Sequence, residues 1–333
     1  MKSPALVFAL PCLFLVPVHG FAQAAEGPAA EIREWEVPWE QTRPRDPYVA
    51  PDGRVWFVGQ RGDYLAVFDP TTEQFRRFDL ADGVGPHTVV VDDRDRPWYA
   101  GNHAAHIGRL DPDSGDITLY PMPDPAARDP HTMTFGRDGS LWFTVQGGNF
   151  VGRLSPENGE VELISVPTGG ARPYAIVTGA DGTLWVALFG TNKLARVDPG
   201  TRKLEEIALP RTEARPRRLG LTRDGAVWYT DYAHGYLGRF DPATGEAQEW
   251  HTPGGADARP YAIAVDDRDR IWFVETGPEP NRLVGFDPKS GEYFSVEEIA
   301  SGAGAVRHMV FHAPKRVIWF GTDANTLGRA AIP

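Results

Sequence analysis

Seven side chains that can take part in proton transfer or ligand binding recur along the sequence at a nearly constant interval. Most of them directly follow a proline, inside a segment of the form x-Pro-x-x-apolar. They are Tyr48, His87, His131, Tyr174, Arg217, Tyr261 and His308. Imidazole titrates near neutral pH, while phenol and guanidinium groups bind carbonyl or anionic oxygens. A set of this composition is suited to binding a polar ligand and to acid–base catalysis.

An internal repeat must position these side chains. Seven of the ten tryptophans occur at intervals of 42 to 47 residues, and the same elements surround each of them. They are Trp56, Trp98, Trp142, Trp185, Trp228, Trp272 and Trp319. Each repeat contains four short alternating runs separated by turns such as Asp181-Gly182. A single four-stranded sheet cannot bury both of its faces, so repeats of this length are expected to stack radially as the blades of a propeller.

The two ends of the repeat array predict how the ring closes. Residues 31–38 are similar to the last strand of a repeat, whereas the final repeat, which ends after Leu327-Gly328-Arg329, lacks that strand. An N-terminal strand that completes the last blade would leave no open sheet edge. The sequence therefore predicts an all-β fold, a seven-bladed β-propeller of four-stranded antiparallel blades that is closed by this strand.

The N-terminal segment predicts export. Residues 1–24 combine a basic start, an apolar stretch and a small-x-small cleavage site at Ala22-Gln23-Ala24, which is typical of a signal peptide. Residues 25–333 are then a single propeller domain in the periplasm or outside the cell. The only cysteine, Cys12, falls in the signal segment, so no disulfide is expected in the mature chain.

Composition excludes several classes of partner. The formal net charge is -11, from 34 basic and 45 acidic residues, and the basic residues form no stripe, so nucleic-acid binding is not expected. No segment after the signal is apolar over the length that a membrane span needs. A closed propeller has no structural need to associate, so we expect a monomer.

The seven recurrent side chains are predicted to meet at one mouth of the central channel, because the innermost strand of each blade begins there. The preceding positions add Arg172, Arg215 and Arg259, and in the last repeat Arg307 is assigned to the proline position. This mouth is polar, aromatic and locally basic, which suits a small-molecule or oligomeric substrate with an anionic or carbonyl-rich face. A metal site built from the three histidines is not favoured, because their blades are too far apart around the ring.

Three stretches of the repeat carry a resemblance to a known family. Leu141-Trp142-Phe143-Thr144, Arg259-Pro260-Tyr261-Ala262-Ile263 and Ile271-Trp272-Phe273-Val274-Glu275 resemble repeats of the streptogramin B lyases, also called virginiamycin B lyases. The resemblance extends over essentially the whole mature chain. It implies a seven-bladed propeller with a magnesium ion that opens a cyclic depsipeptide antibiotic at its ester bond by elimination. A base removes the proton α to a carbonyl, and the ester oxygen leaves.

The same resemblance implies roles for individual residues. The family's catalytic histidine falls on His308, one magnesium carboxylate falls on Asp323, and an aromatic residue of the first blade is kept as Tyr48. Val306 stands where the family has its other magnesium carboxylate, and Tyr261 stands where the sixth blade has a substrate-binding histidine. A hard dication prefers several oxygen ligands, so Val306 weakens the expectation of magnesium.

Two functions remain open at this point. In the first, the chain is a lyase that cleaves an ester bond of a cyclic or polymeric substrate by elimination. His308 is then its acid or base, and the fixed charge of Arg307 replaces the metal in stabilising an oxyanion. In this reading the other recurrent residues bind substrate. The alternative is a non-catalytic periplasmic propeller that binds a ligand or a protein.

Overall fold

The computed structural model describes residues 29–333, so the predicted signal peptide lies outside the described residues. The first half of the chain contains the strands β1 (Glu31–Glu36), β2 (Pro44–Val49), β3 (Val55–Gly59), β4 (Tyr64–Asp69), β5 (Gln74–Asp79), β6 (Pro86–Val91), β7 (Pro97–Gly101), β8 (His106–Leu110), β9 (Ile117–Pro121), β10 (Pro130–Phe135), β11 (Leu141–Val145), β12 (Phe150–Leu154) and β13 (Val161–Ser165). The second half contains β14 (Pro173–Thr178), β15 (Leu184–Leu188), β16 (Lys193–Val197), β17 (Leu204–Ala208), β18 (Pro216–Leu221), β19 (Val227–Asp231), β20 (Tyr236–Phe240), β21 (Ala247–His251), β22 (Pro260–Val265), β23 (Ile271–Glu275), β24 (Arg282–Asp287), β25 (Glu292–Glu298), β26 (Val306–His312), β27 (Val317–Thr322) and β28 (Thr326–Ala331).

These strands form seven antiparallel four-stranded sheets. Six sheets take four consecutive strands each, and the seventh has the order β1-β28-β27-β26. The innermost strand of every sheet contacts the innermost strands of both neighbouring sheets, including β2 with β26, so the ring is closed. The predicted seven-bladed propeller is confirmed. Apart from the strands, the described residues contain two 3-10 turns, Gly255–Asp257 and Ala313–Lys315, and no helix that could cross a membrane.

The N-terminal strand closes the seventh blade as the sequence predicts. Strand β1 pairs with β28 along its whole length, from Glu31 opposite Ala331 to Glu36 opposite Thr326. Asn325 fixes the segment that follows, because its Nδ2 donates to the carbonyl of Trp39 at 2.8 Å. The last blade is therefore assembled from both ends of the domain, which removes an exposed sheet edge.

The repeat tryptophans pack between neighbouring blades. Trp98, for example, is fully buried in an apolar cluster that combines residues of the second and third blades. Its Nε1 donates to Asp92 Oδ2 at 2.9 Å, so the buried indole N–H of Trp98 has a partner. The glycine of the third strand belongs to the same packing, because a Cβ at Gly152 would overlap the ring of Phe143. The predicted packing role of the repeat tryptophans is confirmed.

Candidate functional site

Every innermost strand has a bulge near its beginning. In the second blade, for example, the pairing register shifts between Pro86 and Val89, and the same shift occurs in all seven blades. Strict alternation would send one of the two bulged residues away from the channel, whereas a bulge brings two successive side chains to the same side. His87 Nδ1 and Thr88 Oγ1 are accordingly 3.0 Å apart. The bulge therefore lets two successive residues of one blade line the channel, as His87 and Thr88 do.

We call the layer nearer the mouth the upper ring and the next layer the lower ring. The upper ring consists of Arg45, His87, His131, Tyr174, Arg217, Tyr261 and Arg307. The lower ring consists of Asp46, Thr88, Thr132, Arg218 and His308, whereas the equivalent residues of the fourth and sixth blades, Ala175 and Ala262, pack in apolar clusters between blades. Five of the seven residues predicted at this mouth are therefore in the upper ring, and two predicted positions are wrong.

The first correction concerns Tyr48. The first blade has two prolines, and strand pairing shows that Pro44, opposite Gly59, is the equivalent of Pro86 opposite Gly101. Tyr48 pairs with Trp56 further along the strand, and it lines a cavity of about 940 Å³ at the opposite end of the channel. The sequence argument chose the second proline, so it placed Tyr48 at the wrong mouth.

The second correction concerns the seventh blade, which has no proline at this point. In the sixth blade Pro260 pairs with Glu275, the last residue of the second strand. Val306 pairs with Thr322, which is the last residue of the second strand in the seventh blade. Val306, and not Arg307, therefore takes the proline position. Arg307 therefore belongs to the upper ring. His308 lies one residue deeper, in the lower ring, and its side chain is partly accessible.

A buried ion-pair network fills the lower ring. Asp46 is fully buried, and its carboxylate accepts hydrogen bonds from Arg45 Nε at 3.0 Å, Arg218 Nη2 at 3.0 Å and Thr88 Oγ1 at 2.8 Å. Burial opposes the charge of Asp46, but the two guanidinium groups outweigh it and hold the pKa of this carboxyl well below its usual range. Asp46 is therefore an anion that is already neutralised.

Arg218 ties together four blades. From the fifth blade it reaches Asp46 of the first, donates to Thr132 Oγ1 of the third at 3.3 Å, and donates to the carbonyl of Arg307 of the seventh at 2.9 Å. These contacts cross the channel, so the inner strands are held at fixed separations. Sequence reasoning missed Arg45, Asp46 and Arg218. The consecutive charged residues after Pro44 and Pro216 were the available signal.

Two upper-ring histidines stack on each other. The rings of His87 and His131 have centroids 3.5 Å apart. Thr88 donates its only hydroxyl hydrogen to Asp46, so it accepts from His87 Nδ1, which leaves His87 Nε2 as a bare acceptor. Burial, reinforced by nearby positive charges such as Arg218, lowers the pKa of both histidines well below its usual range. Both imidazoles are therefore neutral near pH 7.

The phenols of Tyr174 and Tyr261 lie together in the upper ring. The hydroxyls of Tyr174 and Tyr261 are hydrogen-bonded to each other, and Arg217 Nη2 lies 3.4 Å from the Tyr174 hydroxyl. The Arg217 guanidinium covers the Tyr261 ring at 3.8 Å from its centroid and also contacts Tyr232. Burial opposes ionisation, but nearby positive charges, of which Arg217 is the strongest, lower the pKa of Tyr174 below its ordinary value.

Arg307 completes this cluster. It binds Asp323 in a bidentate manner, with Nε to Oδ1 at 3.1 Å and Nη2 to Oδ2 at 2.5 Å, and its guanidinium lies 5.9 Å from the Tyr261 ring centroid. Burial opposes the charge, but the hydrogen bond to Asp323 and the proximity of Tyr261 raise the pKa of Arg307. Arg307 is therefore a permanent, oriented positive charge at the mouth.

The surroundings of Asp323 do not fit a magnesium ion. Both carboxylate oxygens face Arg307, and Arg43 Nε lies 3.7 Å from Oδ1. Val306 is buried and offers no side-chain oxygen. Magnesium needs several oxygen ligands and near-octahedral geometry. Across residues 29–333 no group of three or more His, Cys, Asp or Glu side chains is arranged to hold a metal.

Two other acidic residues near the mouth are engaged in structural contacts. Asp231 is buried and pairs with Arg211. Glu275 is buried as well, accepts from Arg282 Nε at 3.0 Å and from the Gly254 amide at 2.7 Å. Neither carboxylate is available as a base.

Comparison with known proteins matches this geometry to a family. The model of the virginiamycin B lyase family matches residues 30–330. The chain belongs to this family. No curated protein sequence matches the chain significantly. Among solved structures, a streptogramin B lyase superposes with a TM-score of 0.81 at 26% identity, covering 90% of this chain and 97% of that one.

Two further structures come from Staphylococcus aureus. The selenomethionine-substituted virginiamycin B lyase has a TM-score of 0.82 at 22% identity and covers 91% of this chain and all of its own. A catalytically inactive histidine-to-alanine variant with quinupristin has a TM-score of 0.83 at 23% identity with the same coverage. At this identity the two structures establish the fold alone. The family resemblance predicted from the repeats is confirmed.

Proposed function

We propose that this member of the virginiamycin B lyase family is a carbon–oxygen lyase that works at the upper ring without a metal ion. Its substrate carries an ester or related bond β to an acidic C–H, in a cyclic or polymeric molecule. The observation that carries the proposal is the cluster of two hydrogen-bonded phenols between Arg217 and Arg307. It combines a base with two guanidinium charges, an arrangement that suits elimination next to a carbonyl.

Arg307 is proposed to stabilise the developing enolate. Its guanidinium is held by Asp323 through two hydrogen bonds, so it cannot turn away when substrate arrives. The charge also lies in a partly buried site, where it acts more strongly on an oxyanion than it would in water. This keeps the role that the sequence suggested for Arg307 as a replacement for the metal.

Tyr174 is proposed as the base in preference to His308. A base works best when its pKa is near the working pH, and nearby guanidinium groups, Arg217 first, lower the pKa of Tyr174 from its ordinary value toward that range. Burial, together with the charge of Arg218, lowers the pKa of His308 to about 4, which makes its imidazole a weak base. His308 also faces Asp46 and Arg218 in the lower ring, whereas Tyr174 contacts Arg217 at the mouth.

The proposed reaction balances without water. The Tyr174 phenolate takes the proton α to the carbonyl, the electron pair forms a carbon–carbon double bond, and the β carbon–oxygen bond breaks. The departing oxygen then receives a proton from the hydrogen-bonded phenol pair, in which Tyr261 is the partner. The products together have the mass of the substrate.

One observation favours the binding alternative. Tyr174 and Tyr261 are only 3% and 1% exposed, because the Arg217 guanidinium covers them. A substrate reaches the phenols only if one of its own oxygens draws Arg217 aside. If Arg217 stays in place, the mouth binds a ligand through Arg217 and Arg307 and performs no chemistry.

The proposal is tested by following product mass. The purified chain is incubated with a streptogramin B depsipeptide and, in parallel, with a uronic-acid oligosaccharide, each with magnesium and with a chelator. We expect cleavage of one of them without gain of water, at equal rates in both conditions. Arg307→Ala should lower the rate by roughly 10²–10³-fold. Arg54→Ala is the matched control, because Arg54 is exposed in a turn at the opposite end.

Other outcomes contradict the proposal in distinct ways. Gain of one water per cleavage would show hydrolysis. Loss of activity with the chelator would show that the proposed metal independence is wrong. If neither compound is cleaved although one of them binds, the non-catalytic binding propeller becomes the better account. We also propose a periplasmic or secreted location, which rests on the predicted signal peptide of residues 1–24.

A further inference from the structure

The channel has an excess of positive charge. Its two rings contain the guanidinium groups of Arg45, Arg217, Arg218 and Arg307. The rings contain one carboxylate, Asp46, and a second carboxylate, Asp323, engages Arg307 from the rim. Isolated charges are strongly disfavoured in a poorly solvated interior unless an opposite charge lies close. Four guanidinium groups against two carboxylates leave a net positive charge in the channel. A bound anion would neutralise part of this charge.

Two arginines of the upper ring, Arg45 and Arg217, each have one buried nitrogen without a hydrogen-bond acceptor, and in Arg45 this is the terminal nitrogen Nη2. The Arg45 side chain is buried, with 4% of the residue exposed. Nε donates to Asp46 and Nη1 donates to Gln60 Oε1 at 2.9 Å. Nη2 is also buried, and no atom within residues 29–333 accepts a hydrogen bond from it. A buried N–H of a charged group without an acceptor is unfavourable, so this nitrogen marks where an acceptor belongs.

The surroundings of Arg45 select an anion over a neutral acceptor. Each of the three nitrogens of Arg218 donates one hydrogen bond, to Asp46, Thr132 or the Arg307 carbonyl, so Arg218 contributes its charge and the second N–H of each terminal nitrogen. His308 is partly accessible in the lower ring, and as a neutral imidazole it has one N–H to offer. The site therefore combines a buried guanidinium nitrogen without an acceptor and an excess of positive charge around it.

We propose that the channel contains an anion-binding site centred on Arg45 that takes a monovalent anion of the carboxylate type. The anion accepts from Arg45 Nη2 and neutralises part of the excess charge. Two sources share this chemistry, namely a small free carboxylate and the carboxylate of an acidic sugar that enters from the mouth. The site does not depend on the proposed lyase activity, because binding requires only the charges and donors described above.

Binding is measured by isothermal titration calorimetry in chloride-free buffer at pH 7, with sodium formate and with sodium glucuronate as probes. We expect formate to bind and Arg45→Lys, which keeps the charge beside Asp46 but lacks the second guanidinium nitrogen, to weaken binding at least tenfold. Arg54→Lys, an exposed arginine paired with Asp52, is the matched control and should bind as the wild type does. If glucuronate binds and displaces formate, the carboxylate belongs to a larger ligand. If only formate binds, the site takes a free ion.

A second measurement keeps the proposal testable if Arg45→Lys fails to fold. Crystals of the wild-type chain grown in sodium bromide should show an anomalous peak at hydrogen-bonding distance from Arg45 Nη2. Absence of both the peak and any formate binding would overturn the site. Equal formate binding by the wild type and a folded Arg45→Lys variant would also overturn it. None of these results depends on turnover, so they are separable from failure of the lyase proposal.

Discussion

The spaces between the blades and the channel inside them are built from the same repeat by opposite rules. Between blades one residue type recurs, so Trp98, Trp142 and Trp272 are fully buried in equivalent places. In the channel the equivalent positions change from blade to blade, from His87 to Arg217 for example. Repetition stacks the blades, whereas departure from repetition gives the channel its charge and its phenols. The fold can thus be argued from the repeat, and the function only from the rings.

The largest expected effect on stability concerns the packing of the repeat tryptophans between blades. Trp142→Ala and Trp272→Ala should each lower the free energy of unfolding by about 3–5 kcal/mol, because each removes a large side chain from a close-packed space. The two losses should agree to within about 1 kcal/mol in urea denaturation. Leu119→Ala is the control, since Leu119 is 54% exposed and should change stability by less than about 0.5 kcal/mol. A tolerated substitution at either tryptophan would break the equivalence of the blades.

A somewhat smaller effect is expected in the channel. Asp46→Asn keeps the size of the side chain but removes the charge that faces Arg45 and Arg218, so it should cost about 3 kcal/mol in the free energy of unfolding. Asp82→Asn, at an exposed loop position, should stay within about 0.5 kcal/mol of the wild type. Urea denaturation at pH 7 measures both. An unchanged midpoint for Asp46→Asn would show that the channel network is not structural.

The smallest expected effect is the pH dependence of stability that His308 of the channel contributes. In the folded chain the pKa of His308 is lowered to about 4, below the ordinary value of 6.5, so the unfolded chain binds more protons between these values. Stability is therefore complete above pH 6.5 and falls as the pH drops toward 4. His308 alone should make the chain about 1–2 kcal/mol less stable at pH 5 than at pH 7. His308→Gln should reduce this difference in denaturation curves at the two pH values. An equal difference in wild type and variant would contradict the account.

The sequence predicts the blades and the packing between them almost completely. The regular spacing of the tryptophans and the four-stranded blades follow from patterns that recur in every repeat. Closure by residues 31–36 follows from the last strand that the final repeat lacks. The family resemblance follows from the same repeats and is confirmed over residues 30–330. These features can be predicted because packing between blades requires the same buried residue types in all seven repeats.

The residues that line the channel are harder to predict from the sequence, for two physical reasons. A bulge is set by backbone conformation, so alternation in the sequence does not show that both Arg45 and Asp46 face the channel. The repeat is also irregular where the ring was misplaced, with two prolines near Tyr48 and none before Arg307. Contacts across the channel, such as that between Tyr174 and Tyr261, join residues far apart in the sequence.

The central claim is that the upper ring, through Tyr174, performs the chemistry. The most direct test compares Tyr174→Phe with Tyr48→Phe, a tyrosine at the opposite end, in the cleavage assay with chelator present. We predict that kcat/KM of the wild type rises with pH above neutrality, because the phenolate is the active form and nearby positive charges lower the pKa of Tyr174 below its ordinary value. Tyr174→Phe should lower kcat/KM by roughly 10²–10⁴-fold, whereas Tyr48→Phe should leave it unchanged. Equal activity of Tyr174→Phe and the wild type would contradict the claim.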